Sequence, residues 1–221
     1  MMNLFTSFDP STYIFQMNWT SMLMMIPLMP IMLWLVPSRW NWTWLKLNFS
    51  LNNEFTPLLE SKIKGSTLMF ISLMNLIMIN NFMGLSPYTF TPTSHLVFNL
   101  SLALPLWVMF MVYGWFNNSV HMLAHTIPTG TPYLLMPFMV CIETVSNIIR
   151  PITLSVRLTA NMIAGHLLVT LMSNLSATLG TISCSIVIIA QTILLILEMS
   201  VAIIQAYVFS VLVMLYSKEI H

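Results

Sequence analysis

Charge is scarce in this sequence: only 6% of its 221 residues are Asp, Glu, Lys or Arg, where an ordinary soluble domain carries about 25%. With 57% hydrophobic residues and a mean hydropathy of +0.85, the chain has too little polar surface to cover a water-soluble globule. The bilayer is its solvent. Seven basic and six acidic side chains nearly cancel to +1, which gives neither nucleic acid nor an anionic surface an electrostatic handle. Cysteine is also rare. Cys141 and Cys184 each sit inside an apolar run, which reads as two small buried hydrophobes and not as a disulfide or metal pair. There is no Gly-rich phosphate loop, fixed-period repeat or low-complexity tract. Met1 to Pro10 has neither the basic n-region of a secretory signal nor the Arg-rich face of a transit peptide. Together with 21 methionines, that absence fits a protein made inside a mitochondrion, where the altered code enlarges the Met codon set.

Long apolar runs are what the chain has instead. A membrane-crossing helix needs about 20 mainly apolar residues, because hydrocarbon leaves every backbone polar group to be bonded internally. Trp19 to Val36, Thr67 to Leu85 and His95 to Phe116 qualify. The first is interrupted by Pro27 and Pro30 and followed by Trp40, Trp42 and Trp44, residues of the kind found at headgroup level. Between the first two runs, Pro37 to Ser66 carries Arg39, Lys46, Lys62 and Lys64, four of the seven basic residues. The positive-inside rule puts this loop on the matrix side, the N-terminus and Tyr88 to Ser94 on the intermembrane side, and Asn117 to Pro132 inside.

The remainder is built differently. Gly180 to Tyr216 holds no proline and only one charge, Glu198, and as a continuous helix it would be about 55 Å long, nearly twice a hydrocarbon core of about 30 Å. Leu134 to Thr178 is longer still, with Pro151 and Gly165 as possible bends. Either each stretch divides into two short spans or both are long helices. A strongly slanted pair meeting in a hairpin near Asn174 to Gly180 is the favoured reading. The expectation is an all-α polytopic membrane protein with about five to six hydrophobic helices. It forms one membrane domain over 1–221: a span and loop (1–66), two spans with their connections (67–132) and the long hairpin (133–221).

Ionisable groups inside those long helices carry the functional signal, since a charge at mid-membrane costs about 2.5 kcal/mol or several times that. Glu143, Arg150 and Arg157 recur every seven residues, and Asn147, Asn161 and Gly165 fall on the same strip. Gln191, Glu198, Gln205 and Glu219 lie at multiples of seven on the last helix, so antiparallel helices can turn both stripes to a common interior. His166, nine residues after Arg157, points about 180° away. Arginine keeps its charge, whereas histidine and glutamate titrate. Arg157 can thus be a fixed positive post while His166, Glu198 and Glu143 pass protons. The alternative is an internal ion-pair ladder of Glu143, Arg150 and Arg157 that only holds the helix. His121 and His125 could share a metal at i, i+4 but read as interfacial histidines, and His95 has no evident role; no metal or cofactor is expected.

Ser155 to His166, SVRLTANMIAGH, resembles the signature of the subunit a family of F-type ATP synthases. His125 to Pro151, Leu197 to Leu212, Asn81 to Leu96 and the segment LFTSFDPST resemble the mitochondrial members in the same way, so the likeness spans the whole chain. One departure is Thr129, where the family pattern leads to glutamine. The resemblance implies a non-catalytic, proton-translocating stator subunit in the mitochondrial inner membrane, with two offset half-channels to a rotating c-ring. Arg157 would face the c-ring carboxylates and block a direct proton route. His166 and Glu198 would belong to the intermembrane half-channel, Glu143 and Glu219 to the matrix one, and Asn161 and Gln205 would be polar neighbours of the arginine. Arg150, Gln191 and Asn147 are secondary candidates. Its partners would be the c-ring, other membrane-sector and peripheral-stalk subunits, lipid and protons. Two rival classes fit less well: a haem protein needs axial ligand pairs that the five histidines do not form, and a secondary transporter is expected to show internal repeats.

Overall fold

A computed structural model describes residues 4–12, 16–30, 35–59, 65–86, 89–127, 132–176 and 180–220. Among them are seven α-helices, three 3-10 helices and no strand. Four of the helices are long and apolar enough to cross a membrane: α3 (Ser66–Gly84), α4 (Leu96–Asn117), α6 (Met136–Ser176) and α7 (Thr181–Ile220). The chain is an all-α, multi-pass membrane protein.

The first expected span takes another form. Proline has no N–H to donate and its ring clashes with the preceding turn, and Pro27 and Pro30 limit α1 to Met25–Leu28, preceded by a 3-10 helix over Met17–Met24. A 3-10 helix rises about 2.0 Å per residue against 1.5 Å for an α-helix, so few residues cover the distance. Trp19 lies with Phe90 and His95 at the end of the bundle where α3 stops, whereas Met29 shares a cavity with Trp42, Gly65 and Thr67 where α3 starts. The segment therefore runs alongside the bundle without being one continuous α-helix.

Within the basic connection, where only a loop was expected, α2 forms over Arg39–Phe55. The Ser38 hydroxyl caps it by accepting from the Asn41 N–H at 3.3 Å. Trp40, Trp42 and Phe49 are exposed while Leu51 and Phe55 are buried, and the Lys46 ammonium sits 5.1 Å from the Trp42 ring centre. An amphipathic helix with exposed tryptophans suits the headgroup layer. Asn75 ties it to α3 by donating to the Asn48 side chain at 2.9 Å.

The last two helices are unbroken, α6 with 41 residues and α7 with 40, and they turn back on each other between Ser176 and Thr181. Each is about 60 Å long at 1.5 Å per residue; neither stretch divides into two short spans. Pro151 lies inside α6, and because it cannot donate, the Asn147 carbonyl loses its usual partner one turn back. α3 packs chiefly on α7, and α4 on α6. Lipid tails are as apolar as leucine, so these contacts gain from close packing and interhelical hydrogen bonds more than from burial itself. Small residues accordingly mark the interfaces: Ala103, Ser155, Ala202, Ala206 and Ser210 are all buried. Around them Phe70, Ile77, Leu154, Leu158, Phe209 and Met214 form the core cluster. Cys141 and Cys184 depart from the sequence expectation. Both are free, the first exposed and the second only half-buried, because no described part of the chain covers their sides of α6 and α7.

Ala206 is fully buried, so Ala206→Phe overpacks the core at a cost of about 1–3 kcal/mol. Thermal unfolding of the detergent-solubilised protein should show a lower midpoint for Ala206→Phe and none for Ala190→Phe, whose site is exposed.

Candidate functional site

Leu154, Leu158 and Met162 are buried, and they orient α6. Arg157 then points outward and is exposed, while His166, half-buried, points inward, as a nine-residue separation requires at about 100° per residue.

His166 and Glu198 meet at one cavity. About 200 Å³ in volume, it is lined also by Asn81, Asn161, Gly165 and Gln205. A second and more polar cavity of about 730 Å³ reaches the same two side chains from the hairpin end, past Ser86, Thr89, Thr170, Asn174 and Gln191. The approach of α7 to α6 is close enough that a Cβ on residue 165 would lie 2.9 Å from the Glu198 Cδ and 3.2 Å from its Cγ, and against Oε1. A side chain at 165 would therefore displace that carboxylate from its present position. The Nε2 of His166 and the Oε1 of Glu198 are buried and have no hydrogen-bond partner among the described residues. Unpaired polar atoms are costly in a low-dielectric interior, and both side chains line the two cavities.

Asn81 is a member of this site that the sequence reading missed. It is buried at 1% exposure, its amide donates to the Ala202 carbonyl at 3.5 Å, and its Oδ1 has no partner among the described residues. The available signal was a pair of amides, Asn80 and Asn81, inside an otherwise apolar span.

The opposite end has different chemistry. Arg150 pairs with Glu143 at 3.7 Å, both side chains about one-third exposed, and its guanidinium carbon lies 5.2 Å from the centre of the Tyr216 ring. A small cavity of about 40 Å³ lies there, lined by Asn147, Arg150 and Tyr216 with Trp107, Phe110 and His125. Arg157 sits between the two ends, about 10 Å along the helix from Arg150 and about 13 Å from His166 at 1.5 Å per residue. It makes no ion pair among the described residues, so the ladder of Glu143, Arg150 and Arg157 stops at Arg150.

The seven-residue stripe on α6 therefore does not act as one inward face. Asn147 and Arg150 line one cavity, Asn161 and Gly165 another, and Arg157 lines neither. Trp107 and Phe110 of α4 and Tyr216 of α7 cover Arg150, and no described element covers Arg157. On α7 the stripe holds together: Gln191, Glu198 and Gln205 all line the cavities at the hairpin end and beside His166. Glu219 belongs to the last turn of α7, but its side chain, like Lys62, Lys64 and Thr129, lies outside the described residues. His121 and His125 place their rings 6.3 Å apart, and no cluster of three or more His, Cys, Asp or Glu that could hold a metal occurs among the described residues.

Residues 14–218 match the family described as ATP synthase A chain. The chain is 56% identical over 223 residues to ATP synthase subunit a of Drosophila melanogaster. It is 55% identical over 224 residues to that of Locusta migratoria and 56% over 225 to that of Anopheles quadrimaculatus. Each pairing covers 100% of both chains. This full-length likeness makes the chain a member of the ATP synthase subunit a family, the non-catalytic, proton-translocating subunits of the membrane sector.

Proposed function

We propose that this subunit offers two offset half-channels to a rotating c-ring, with Arg157 as the electrostatic barrier between them. The observation that carries the reading is the outward guanidinium of Arg157, which has no ion pair among the described residues and shares an exposed face of α6 with Thr153, Ala160, Asn161 and Ala164. A cation there is costly in lipid and stays charged. A partner's carboxylate resolves both problems, and a ring carrying one such carboxylate per subunit brings it repeatedly to the same place.

Protons enter from the intermembrane side through the polar cavity at the hairpin end, past Gln191, to His166 and Glu198. With Asn161 and Gln205 beside them, these groups hand the proton to a ring carboxylate, which then turns away neutral. After nearly a full rotation the carboxylate loses its proton towards Asn147, the Glu143–Arg150 pair and Glu219 on the matrix side. It meets Arg157 ionised. The helix separates the two routes, so each proton crossing, worth about 2.3 kcal/mol per 100 mV, must turn the ring.

On this reading the whole chain acts as one unit of the mitochondrial inner membrane. Its N-terminus faces the intermembrane side, its long hairpin lies slanted against the ring, and peripheral-stalk subunits hold it still. Four basic residues in 37–66 support that sidedness.

In the reconstituted complex, Arg157→Ala should abolish ATP-driven proton pumping while leaving or opening a passive leak, with Arg150→Ala milder. Normal pumping by Arg157→Ala would make the barrier reading wrong. Gly165→Ala displaces the Glu198 carboxylate and is expected to cut proton conduction by up to about a hundredfold, as a misplacement of about 1 Å can in a positioned site. Conduction equal to the unmodified complex would remove the His166–Glu198 geometry from the path.

A further inference from the structure

The polar cavity that leads to His166 is closed on one side by the start of the chain, and a residue not used above keeps it there. Leu4–Phe8 forms a short 3-10 helix. The Phe8 ring stands edge-on to His166, with centroids 6.1 Å apart, and Ser7, Phe8 and Asp9 line the same cavity as His166 and Glu198. One turn of 3-10 helix cannot hold itself in place. It is tied down weakly by the Asn18 side chain, which donates to the Asp9 carbonyl at 3.4 Å, and more closely by His95, whose Nε2 lies 3.0 Å from the Phe8 carbonyl, 87 residues away in sequence. A carbonyl can only accept, so this nitrogen carries the hydrogen.

The ring that makes this bond is itself fixed. It stacks on Phe90 at 5.1 Å and leans on Trp19 at 5.3 Å. Behind it a buried turn is locked by Thr91 donating to the Ser94 hydroxyl at 3.0 Å and Ser94 donating to the Thr91 carbonyl at 2.7 Å. His95 thus links three parts of the chain: the N-terminal segment, the 3-10 helix of Met17–Met24 and the start of α4.

We propose that His95 is a positioning residue: by holding the Phe8 carbonyl it seats the segment Leu4–Asp9 as a cover over the cavity and so limits how water reaches His166. The functional meaning of that cover rests on the half-channel reading, but its existence does not.

The test uses the assembled complex with Cys141→Ser and Cys184→Ser to remove the native thiols and Thr170→Cys to place a reporter in the cavity. The rate of labelling by a membrane-impermeant maleimide is then measured. His95→Phe keeps the ring stack and loses the donor; labelling should be about fivefold faster, the change expected from one net hydrogen bond. His95→Gln keeps a donor at similar reach and should label at the parent rate. An unchanged rate in His95→Phe, or an equal increase in His95→Gln, overturns the assignment. Phe8→Ala leaves the backbone acceptor in place and uncovers His166, so it too should label faster. An unchanged rate there overturns the cover however His95→Phe assembles. Labelling is read without proton flow, so failure of the cover shows in these rates and failure of the half-channel reading shows in the pumping of Arg157→Ala.

Discussion

Hydrocarbon offers a polar side chain no hydrogen bonds, so each such group inside the bilayer must be answered by the protein, line a water-accessible cavity or meet a partner. The arrangement of α3, α4, α6 and α7 follows from that constraint. Asn75 bonds Asn48, Asn99 donates to the Thr93 carbonyl at 2.8 Å, and Ser155 donates to the Ile152 carbonyl at 2.8 Å. The first joins α3 to α2 and the other two are local. Among the described residues, His166, Glu198 and Asn81 keep an unpartnered atom each, as do Ser21, Asn52, Asn75, Asn80 and Thr93, and the first three border one cavity. Arg157 lines none of the cavities described, and the proposed function leaves it to a partner.

This sorting gives two arginines seven residues apart different surroundings. Arg150 is held by Glu143 and by the face of Tyr216, which offsets much of the cost of its charge. The same neighbours immobilise it. Arg157 keeps a free guanidinium on a rigid helix, anchored from behind by Leu154 and Leu158. On the proposed function, a charge that meets a succession of passing carboxylates cannot also belong to a fixed pair. The length of α6 serves the same end, for it spaces the Arg150 end and the His166 end on one element, with Arg157 between them.

Much of this was legible in the sequence because membranes simplify the code. Apolar run length yielded α3, α4 and the two long helices; α6 ends at Ser176, inside the predicted Asn174 to Gly180 interval, of which residues 177–179 lie outside the described ones. Nine residues between Arg157 and His166 placed them on opposite sides, as the structure has them. Other features were not legible. Trp19 to Val36 read as an apolar span, but the two prolines and the choice between 3-10 and α geometry changed its form. α2 was hidden because a helix lying in the headgroup layer has no long apolar run, and His95 gave no signal because its partner is 87 residues away.

The sequence by itself determined the solvent, the helical class and the rarity of charged groups, and hence which residues had to matter, because hydrocarbon penalises each of them regardless of fold. Only the tertiary structure decided what each one meets. Whether an arginine on a seven-residue stripe is paired or free depends on which helices cover it. Whether a glycine is a bend or a berth for a carboxylate depends on how closely α7 passes. Those are distances between segments far apart in the chain, and no local periodicity encodes them.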